Sequence, residues 1–280
     1  MKSTEQNGKG KKNLSDKIFI FVQIVLILVM LVLIWKIGSY WVDDIRSRRF
    51  SQELQKAVIT QETEKPVPIM TEQSEESDGT APQADEPEKQ TDMIVPKYVD
   101  FDILQASYPD TTAWLLDPGG TINYVVAQAE DNDYYLHRLL DGRTASGGTL
   151  FMDYRNSADF SDWNTMIYGH NMKNGTMFAS LMKYQEPGYY EEHPNLYLYT
   201  PGHRYRMELV AGYITSVTDK VYEIPATKVD RDTILEHAFR SSSFISGITI
   251  GEEDKLVTLS TCSYAYDDAR YVVIGRLVED

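Results

Sequence analysis

The strongest hydrophobic pattern in the chain is an uncharged run over residues 18–35 (IFIFVQIVLILVMLVLIW). About 20 apolar residues in a helix cross the roughly 30 Å hydrocarbon core of a bilayer, so this run predicts a membrane-spanning helix. A cleaved signal peptide is the alternative, but its apolar region would be about 7 to 15 residues long and would end at a site of small residues. Here the run is longer and leads into residues 38–41 (GSYW). We therefore expect an uncleaved signal anchor over residues 18–37.

Positive charges flank this run unevenly. Five lysines precede it, whereas one lysine and three arginines follow it closely. Because the more positive flank stays on the cytoplasmic side, this modest bias predicts that residues 1–17 are cytoplasmic. Everything after the anchor is then expected outside the membrane.

Two different patterns follow the anchor. Residues 38–61 carry apolar side chains at approximately helical spacing among charges, which predicts a juxtamembrane helix. Residues 62–92 are rich in Glu, Gln, Ser, Thr and Pro, which is typical of a disordered acidic linker. Between residues 60 and 92 there are ten acidic residues and two lysines, so this segment carries about half of the net charge of −15. A plain spacer is the simpler interpretation, and an acidic binding tail is the alternative.

The pattern changes at residue 93 to short β-rich runs between turn residues, which predicts one folded domain over residues 93–280. After an initial helix over residues 98–107, eight strands are predicted, over residues 112–116, 122–127, 148–152, 164–168, 195–200, 204–214, 256–261 and 271–277. Further helical patterns cover residues 133–140, 177–184, 186–192 and 230–241. Because few of the strands are joined by helices, the spacing favours a mainly β, mainly antiparallel sandwich or closed barrel over a βαβ fold. The sequence has no basic patch interleaved with aromatic residues, which disfavours nucleic-acid binding.

Cys262 is the only cysteine in 280 residues. In the oxidising setting outside the membrane it has no intrachain disulfide partner, so a free reactive thiol is one interpretation. A small buried hydrophobic residue is the other. It ends the apolar run at residues 256–261 and is therefore expected at the end of a strand.

A cysteine nucleophile needs a proton-transfer partner and a group that stabilises a tetrahedral oxyanion. Of the five histidines, His170 is singled out because it follows a predicted strand and a glycine, although a structural histidine fits the same pattern. Arg270 lies eight residues after Cys262, at the start of the last strand. If the two strands pair as a hairpin, Cys262 and Arg270 share one rim of the sheet. A surface ion pair of Arg270 with Asp267 or Asp268 is the alternative.

Residues 258–262 (TLSTC), Arg270 and residues 168–172 (YGHNM) together closely resemble the sortases, the membrane-anchored cysteine transpeptidases of Gram-positive bacteria. The similarity covers roughly residues 98–278. It is greatest to class B, given the long segment 164–181, the segment 189–194 (YYEEHP) and the helical stretch before the cysteine strand. The acidic residue that follows the cysteine in some class B members is replaced here by Ser263.

The resemblance implies a closed eight-stranded β-barrel with peripheral helices and a division of roles at its rim. Cys262 would attack the carbonyl of a sorting-signal threonine and form a thioester acyl-enzyme. His170 would act as general acid and base, and Arg270 would bind the oxyanion. The groove for the sorting signal would be lined by Asn132, Leu136, Ser260 and Thr261.

The implied partners are secreted proteins with a C-terminal sorting signal, and the implied acceptor is an amine of the peptidoglycan cross-bridge or of a pilin lysine. No cofactor is expected, because the sequence around His170 has no Cys, His or carboxylate at the spacing of metal ligands. An ordinary thiol is only about 3% thiolate at pH 7, so we expect a modest turnover that depends on pH.

Two other functions stay open at this stage. A cysteine hydrolase of the papain type would present its cysteine before its histidine and at the start of a helix, whereas here His170 precedes a cysteine on a strand. A tethered binding module that has lost its chemistry would not need all three of His170, Cys262 and Arg270. We expect an acyl-enzyme on Cys262 and an amide product to distinguish the transpeptidase from both.

Overall fold

The computed structural model describes residues 14–59 and 95–280. The predicted acidic linker and the first 13 residues lie outside these described residues. The chain divides into two compact units, with the boundary between Arg46 and Ser47.

A single long helix, α1 (Leu14–Val58), begins in the first unit and ends in the second. The sequence predicted two helical segments here, and the structure joins them, because the stretch contains no proline and a single interior glycine does not end a helix. By length and composition alone, α1 from Ile18 onward is suited to cross a membrane. The apolar side chains of residues 18–37 are exposed.

The second unit is built on a closed barrel of eight strands, which confirms the predicted fold class. The strands are β1 (Thr111–Leu116), β2 (Asn123–Ala127), β3 (Leu150–Met152), β4 (Asn164–Tyr168), β5 (Asn195–Thr200), β6 (His203–Ser216), β7 (Leu256–Cys262) and β8 (Ala269–Glu279). Their order around the barrel is β1-β2-β3-β4-β7-β8-β6-β5, and β5 pairs with β1 to close it. The pairs β2–β3 and β4–β7 are parallel, and the other six are antiparallel.

The strand β7 is buried on both faces, which explains why its sequence is apolar without strict alternation. Val257 and Leu259 belong to the main cluster inside the barrel, together with Tyr271 and Val273 of β8. Leu256 belongs to a second cluster on the outer face, which is covered by the helix α4 (Lys228–Ser241). The end of β7 that carries Cys262 therefore extends from a strand that is packed on both faces.

Further helices pack around the barrel. They are α2 (Phe101–Ser107), α3 (Tyr189–Glu192) and three 3-10 helices, Tyr135–His137, Ala179–Gln185 and Lys220–Tyr222. Asp100 caps α2 by accepting a hydrogen bond from the amide of Ile103. Val58 of α1 and Leu104 of α2 pack with Trp114 of β1 in an apolar cluster.

Two predicted helices are wrong in type. Residues 133–140 form only the 3-10 turn Tyr135–His137, because the backbone of Arg138 is extended and bridges to Thr144, which ends the turn after His137. The predicted helix over residues 177–184 is likewise a 3-10 helix. The first correction matters for the site, since the short turn directs the carbonyl of Leu136 towards the end of β4.

Candidate active site

Cys262 is the last residue of β7, and its thiol is free and half-buried. Alternation along the strand puts Ser260 and Cys262 on the face opposite to Leu259, so both side chains lie outside the barrel interior. Thr261 alternates towards the interior, where its β8 partner Tyr271 is part of the core. Its hydroxyl is buried and has no hydrogen-bond partner among the described residues.

Arg270 is the direct antiparallel partner of Cys262 on β8, which confirms the predicted hairpin. Side chains directly opposite each other lie on the same face, with Cβ atoms about 4.5–5.5 Å apart. The guanidinium donates from Nη1 to the carbonyl of Ala269 at 3.1 Å. Within residues 14–59 and 95–280 it forms no ion pair, so the alternative pairing with Asp267 or Asp268 is not made. Its charge therefore remains available beside the thiol.

The parallel pairing of β4 with β7 brings His170 beside Cys262, at the same height along the strands. Tyr168 pairs with Ser260, and the amide of Gly169 donates to the carbonyl of Ser260 at 3.1 Å. Two residues further along each chain, the register brings His170 level with Cys262. The next residue, Asn171, donates from Nδ2 to the carbonyl of Cys262 at 3.0 Å. Residues from three adjacent strands or strand ends are thus aligned: His170, Cys262 and Arg270.

The imidazole of His170 is held at its edge and on its face by one short turn. Nε2 lies 2.8 Å from the carbonyl oxygen of Leu136, and the ring of His137 stacks on it with centroids 5.3 Å apart. Because a carbonyl only accepts, Nε2 carries the hydrogen, and in the neutral ring Nδ1 keeps the lone pair. Burial lowers the pKa of His170, the hydrogen bond to Leu136 opposes this effect, and the charge of His137 adds to it. The neutral base is therefore favoured over the imidazolium.

Gly148 allows the carbonyl of Leu136 to occupy this position. A Cβ atom at Gly148 would clash with the carbonyl oxygens of both Tyr135 and Leu136, and the residue has φ +56°. Only glycine fits this close approach without displacing the turn. The contact to His170 thus depends on a residue outside the predicted set.

All seven predicted site residues line one open cavity of about 420 Å³. Its lining also includes residues that the sequence did not identify, namely Phe151, Val217 and Tyr222, together with Tyr168 and Gly169 of the quoted motif. Tyr222 stacks on Tyr168 with centroids 6.4 Å apart and shares a hydrogen bond of 2.9 Å with the hydroxyl of Ser260. Val217 and Tyr222 belong to the connection between β6 and α4, which carries no motif that could have identified them.

The described residues offer no metal centre. Within residues 14–59 and 95–280, no three His, Cys, Asp or Glu side chains converge in a way that could hold a metal ion. A thiol, an imidazole and a guanidinium on the wall of a largely apolar cavity can instead support nucleophilic attack on a carbonyl, with proton transfer and oxyanion stabilisation.

Comparison with known proteins agrees with this chemistry. The sequence model of the sortase domain matches residues 118–278. Sortase B of Listeria monocytogenes is 38% identical over 180 residues, which cover 62% of this chain and 72% of that protein.

Two solved structures show the same fold. The structure of sortase B from B. anthracis in complex with AAEK1 has a TM-score of 0.66 and 30% identity, covering 86% of this chain and 100% of that chain. The Staphylococcus aureus sortase B–substrate complex has a TM-score of 0.60 and 28% identity, covering 64% of this chain and 84% of that chain.

Proposed function

The chain belongs to the sortase family and is a sortase-type transpeptidase most similar to class B, and from this premise we propose how its cavity acts and on what. The enzyme cleaves a C-terminal sorting signal of a secreted protein after a threonine and transfers the protein to an amine at the cell surface. The observation that carries this proposal is the alignment of His170, Cys262 and Arg270 at one level of three adjacent strands, along the wall of a single cavity.

In the first half-reaction, Sγ of Cys262 attacks the threonine carbonyl carbon. Nδ1 of His170 accepts the thiol proton, since Nε2 is committed to Leu136. The C–N bond of the tetrahedral intermediate then breaks, and the proton passes from His170 to the departing amine. The product is a thioester between the threonine and Cys262.

Arg270 stabilises the oxyanion of each tetrahedral intermediate. Its side chain is half-buried and opposite Cys262, and it has no carboxylate partner among residues 95–280 that would compete for its charge. A permanently charged donor aimed at a developing oxyanion is effective in a site that excludes water.

In the second half-reaction, an acceptor amine attacks the thioester. His170 takes a proton from the amine, the C–S bond breaks, and the proton returns to the sulfur of Cys262. The net change is the replacement of one amide bond by another, so neither an oxidant nor a cofactor is needed. The acceptor is an amine of the peptidoglycan cross-bridge or a pilin lysine.

The sorting signal binds along the cavity, against Asn132, Leu136 and Ser260, and it passes Thr261, which lines the cavity although its side chain faces the barrel interior. The lining is mainly apolar, with a few polar groups that can fix the direction of a peptide. The existence of a substrate complex of the Staphylococcus aureus relative supports a substrate-binding role for this chain.

For the whole chain we propose a single-pass topology. Residues 1–17 are cytoplasmic, residues 18–37 form the anchor within α1, residues 38–61 the juxtamembrane segment, residues 62–92 an acidic linker, and residues 93–280 the extracellular catalytic domain. The length and apolar composition of α1, together with the lysine-rich N-terminal flank, support this proposal.

The experiment that tests the proposed function uses the full chain in detergent, a library of peptides that each contain one threonine, and a small primary amine. We expect an amide product that joins the threonine to the amine, detected by mass spectrometry. Cys262→Ala should abolish the product, and His170→Ala and Arg270→Ala should each lower kcat/KM by several orders of magnitude. Hydrolysis unaffected by the amine would contradict transfer, and the absence of any cleaved peptide would contradict the proposal as a whole.

A further inference from the structure

Asp153 carries a buried carboxylate that lies outside the cavity lining and is bonded to two residues of the cavity wall. It follows β3 directly and is fully buried. Asn132 donates from Nδ2 to its Oδ2 at 3.0 Å, and the hydroxyl of Tyr168 donates to the same oxygen at 2.9 Å. Both donors line the cavity.

Arg155 extends this network to a third wall residue. Its Nε and Nη2 each donate to a different oxygen of Asp153, both at 2.8 Å. Nη2 also donates to the carbonyl of Tyr222 at 3.0 Å, and the Tyr222 hydroxyl lies 2.9 Å from that of Ser260. One carboxylate is therefore connected to wall residues that come from three separate segments of the chain.

The carboxylate is ionised whenever the enzyme works. Burial raises the pKa of Asp153, but the hydrogen bonds from Arg155, Tyr168 and Asn132 outweigh this effect and lower the pKa to about 2. A charged acceptor makes stronger hydrogen bonds than a neutral one, so the three donors are held firmly.

We infer that Asp153 is a positioning residue for the sorting-signal groove, because it fixes Asn132, Tyr168 and, through Arg155, Tyr222 before a substrate arrives. This inference rests on the proposed function. A peptide that binds a loose groove must order the wall side chains as it binds, which weakens affinity, whereas an ordered wall avoids that loss. The wall residues that Asp153 holds are not the three proposed reacting groups, so its effect falls on substrate binding and not on the chemistry at Cys262.

If the ion pair between Asp153 and Arg155 had only a structural role, its replacement would lower the stability of the whole domain without a selective effect on substrate binding in the groove. Asp117 provides a matched control, because it is also a buried carboxylate that accepts hydrogen bonds, from the amide of Gly119 and the hydroxyl of Thr121. It does not line the cavity, and neither of these two donors does.

The test compares Asp153→Asn, Arg155→Gln and the control Asp117→Asn in the full chain in detergent. The substrate is the peptide that the wild-type protein cleaves best in the library assay, and iodoacetamide probes the thiol of Cys262 independently of the groove. We expect KM to rise about tenfold in Asp153→Asn and Arg155→Gln, as several wall side chains lose their order. We expect kcat and the alkylation rate to stay within about twofold of wild type, and Asp117→Asn to keep the wild-type KM.

An unchanged KM in both variants overturns the inference, and so does a fall of kcat and alkylation rate in step with the rise in KM. An equal rise in KM in Asp117→Asn also overturns the inference, since the loss of any buried carboxylate would then weaken substrate binding. If circular dichroism shows that Asp153→Asn does not fold, the KM of Arg155→Gln alone tests the inference. The side chain of Arg155 is 42% exposed, so its replacement is tolerated. A wild-type protein that cleaves no peptide refutes the proposed function, whereas cleavage with an unchanged KM refutes only this inference.

Discussion

The ring of His170 is fixed by two contacts and by the anchoring of the next residue, and in the proposed mechanism this determines which of its nitrogens moves a proton. The carbonyl of Leu136 holds Nε2, the ring of His137 covers one face, and the neighbouring Asn171 is bonded to the carbonyl of Cys262. Nδ1 is the nitrogen left to exchange a proton with the thiol. The same surroundings disfavour the charged ring, since burial and His137 both lower the pKa of His170.

The pH dependence of kcat/KM should reflect this lowered pKa. Below the pKa of His170 the imidazole is protonated and cannot take the thiol proton, so activity falls as the pH decreases. Because the pKa is lowered, we expect the midpoint of this acidic limb below the ordinary value of about 6.5. Measurement of kcat/KM from pH 4.5 to 8 gives this midpoint. In His137→Gln the midpoint should move slightly upward, and a wild-type midpoint above 6.5 would contradict the account.

At the scale of elements, the site depends on how the parallel pair β4–β7 ends. The ladder bond from the amide of Gly169 to the carbonyl of Ser260 is followed by the side-chain bond from Asn171 to the carbonyl of Cys262. The side chain of Asn171 thus takes the position that the next backbone donor of the ladder would occupy. This releases the backbone of residue 171 to turn and bridge to Met177 while the end of β7 stays fixed.

Replacement of Asn171 should therefore affect the chemical step. Asn171→Leu keeps the approximate size but removes the donor, so the alignment of Cys262 with His170 loosens. We expect kcat to fall by roughly tenfold, equivalent to about 1.4 kcal/mol and near the upper end for one hydrogen bond, with KM little changed. Steady-state kinetics measures both constants.

Asn174 supplies the control for this experiment, because it lies in the same loop and its side-chain oxygen accepts hydrogen bonds from Thr176. Asn174→Leu should keep a kcat close to wild type. Equal losses in both variants would mean that the loop as a whole, and not the bond to Cys262, controls the rate.

The strands could be predicted from the sequence more completely than the helices and the site. Apolar runs such as residues 164–168 identify buried strands, and the TLSTC segment and Arg270 lie on adjacent strands whose pairing follows from a short loop. The segment around Tyr135–His137 has the apolar spacing of a helix, but Arg138 is extended and pairs with Thr144, and no local spacing predicts that pairing.

The role of Asp153 could not be predicted either. Its contacts to Asn132, Arg155 and Tyr168 join residues whose proximity is set by the closure of the barrel and not by any local spacing. Tyr222 enters the cavity for the same reason, from a connection without a recognisable motif. Motifs identified the proposed reacting groups, and tertiary packing determines what surrounds them.

At the scale of the whole molecule, the chain combines a long apolar helix with a catalytic barrel that contains one cysteine. The proposed topology puts that cysteine outside the cell, where the secreted proteins and the acceptor amines are found. Because Cys262 is the only cysteine in the chain, its chemical labelling reports its location without ambiguity.

A membrane-impermeant maleimide should label Cys262 in intact cells that express the full chain. The half-buried thiol lines an open cavity, so the reagent can reach it. A second cysteine introduced on the predicted cytoplasmic side, Lys9→Cys in a Cys262→Ala background, should react only after the cells are permeabilised. Labelling of Lys9→Cys in intact cells, with Cys262 protected in the wild type, would contradict the topology.

In the proposed mechanism Cys262 carries the acyl group, and the mass of the trapped intermediate is the direct measurement of this step. The full chain in detergent is mixed with the best library peptide without an amine, quenched in acid, digested and analysed by tandem mass spectrometry. We expect Cys262 to gain the mass of the peptide fragment ending at threonine, and hydroxylamine to remove this mass, because it cleaves thioesters. Product formation by the wild type with no adduct on Cys262, or an adduct on another residue that survives in Cys262→Ala, would contradict it.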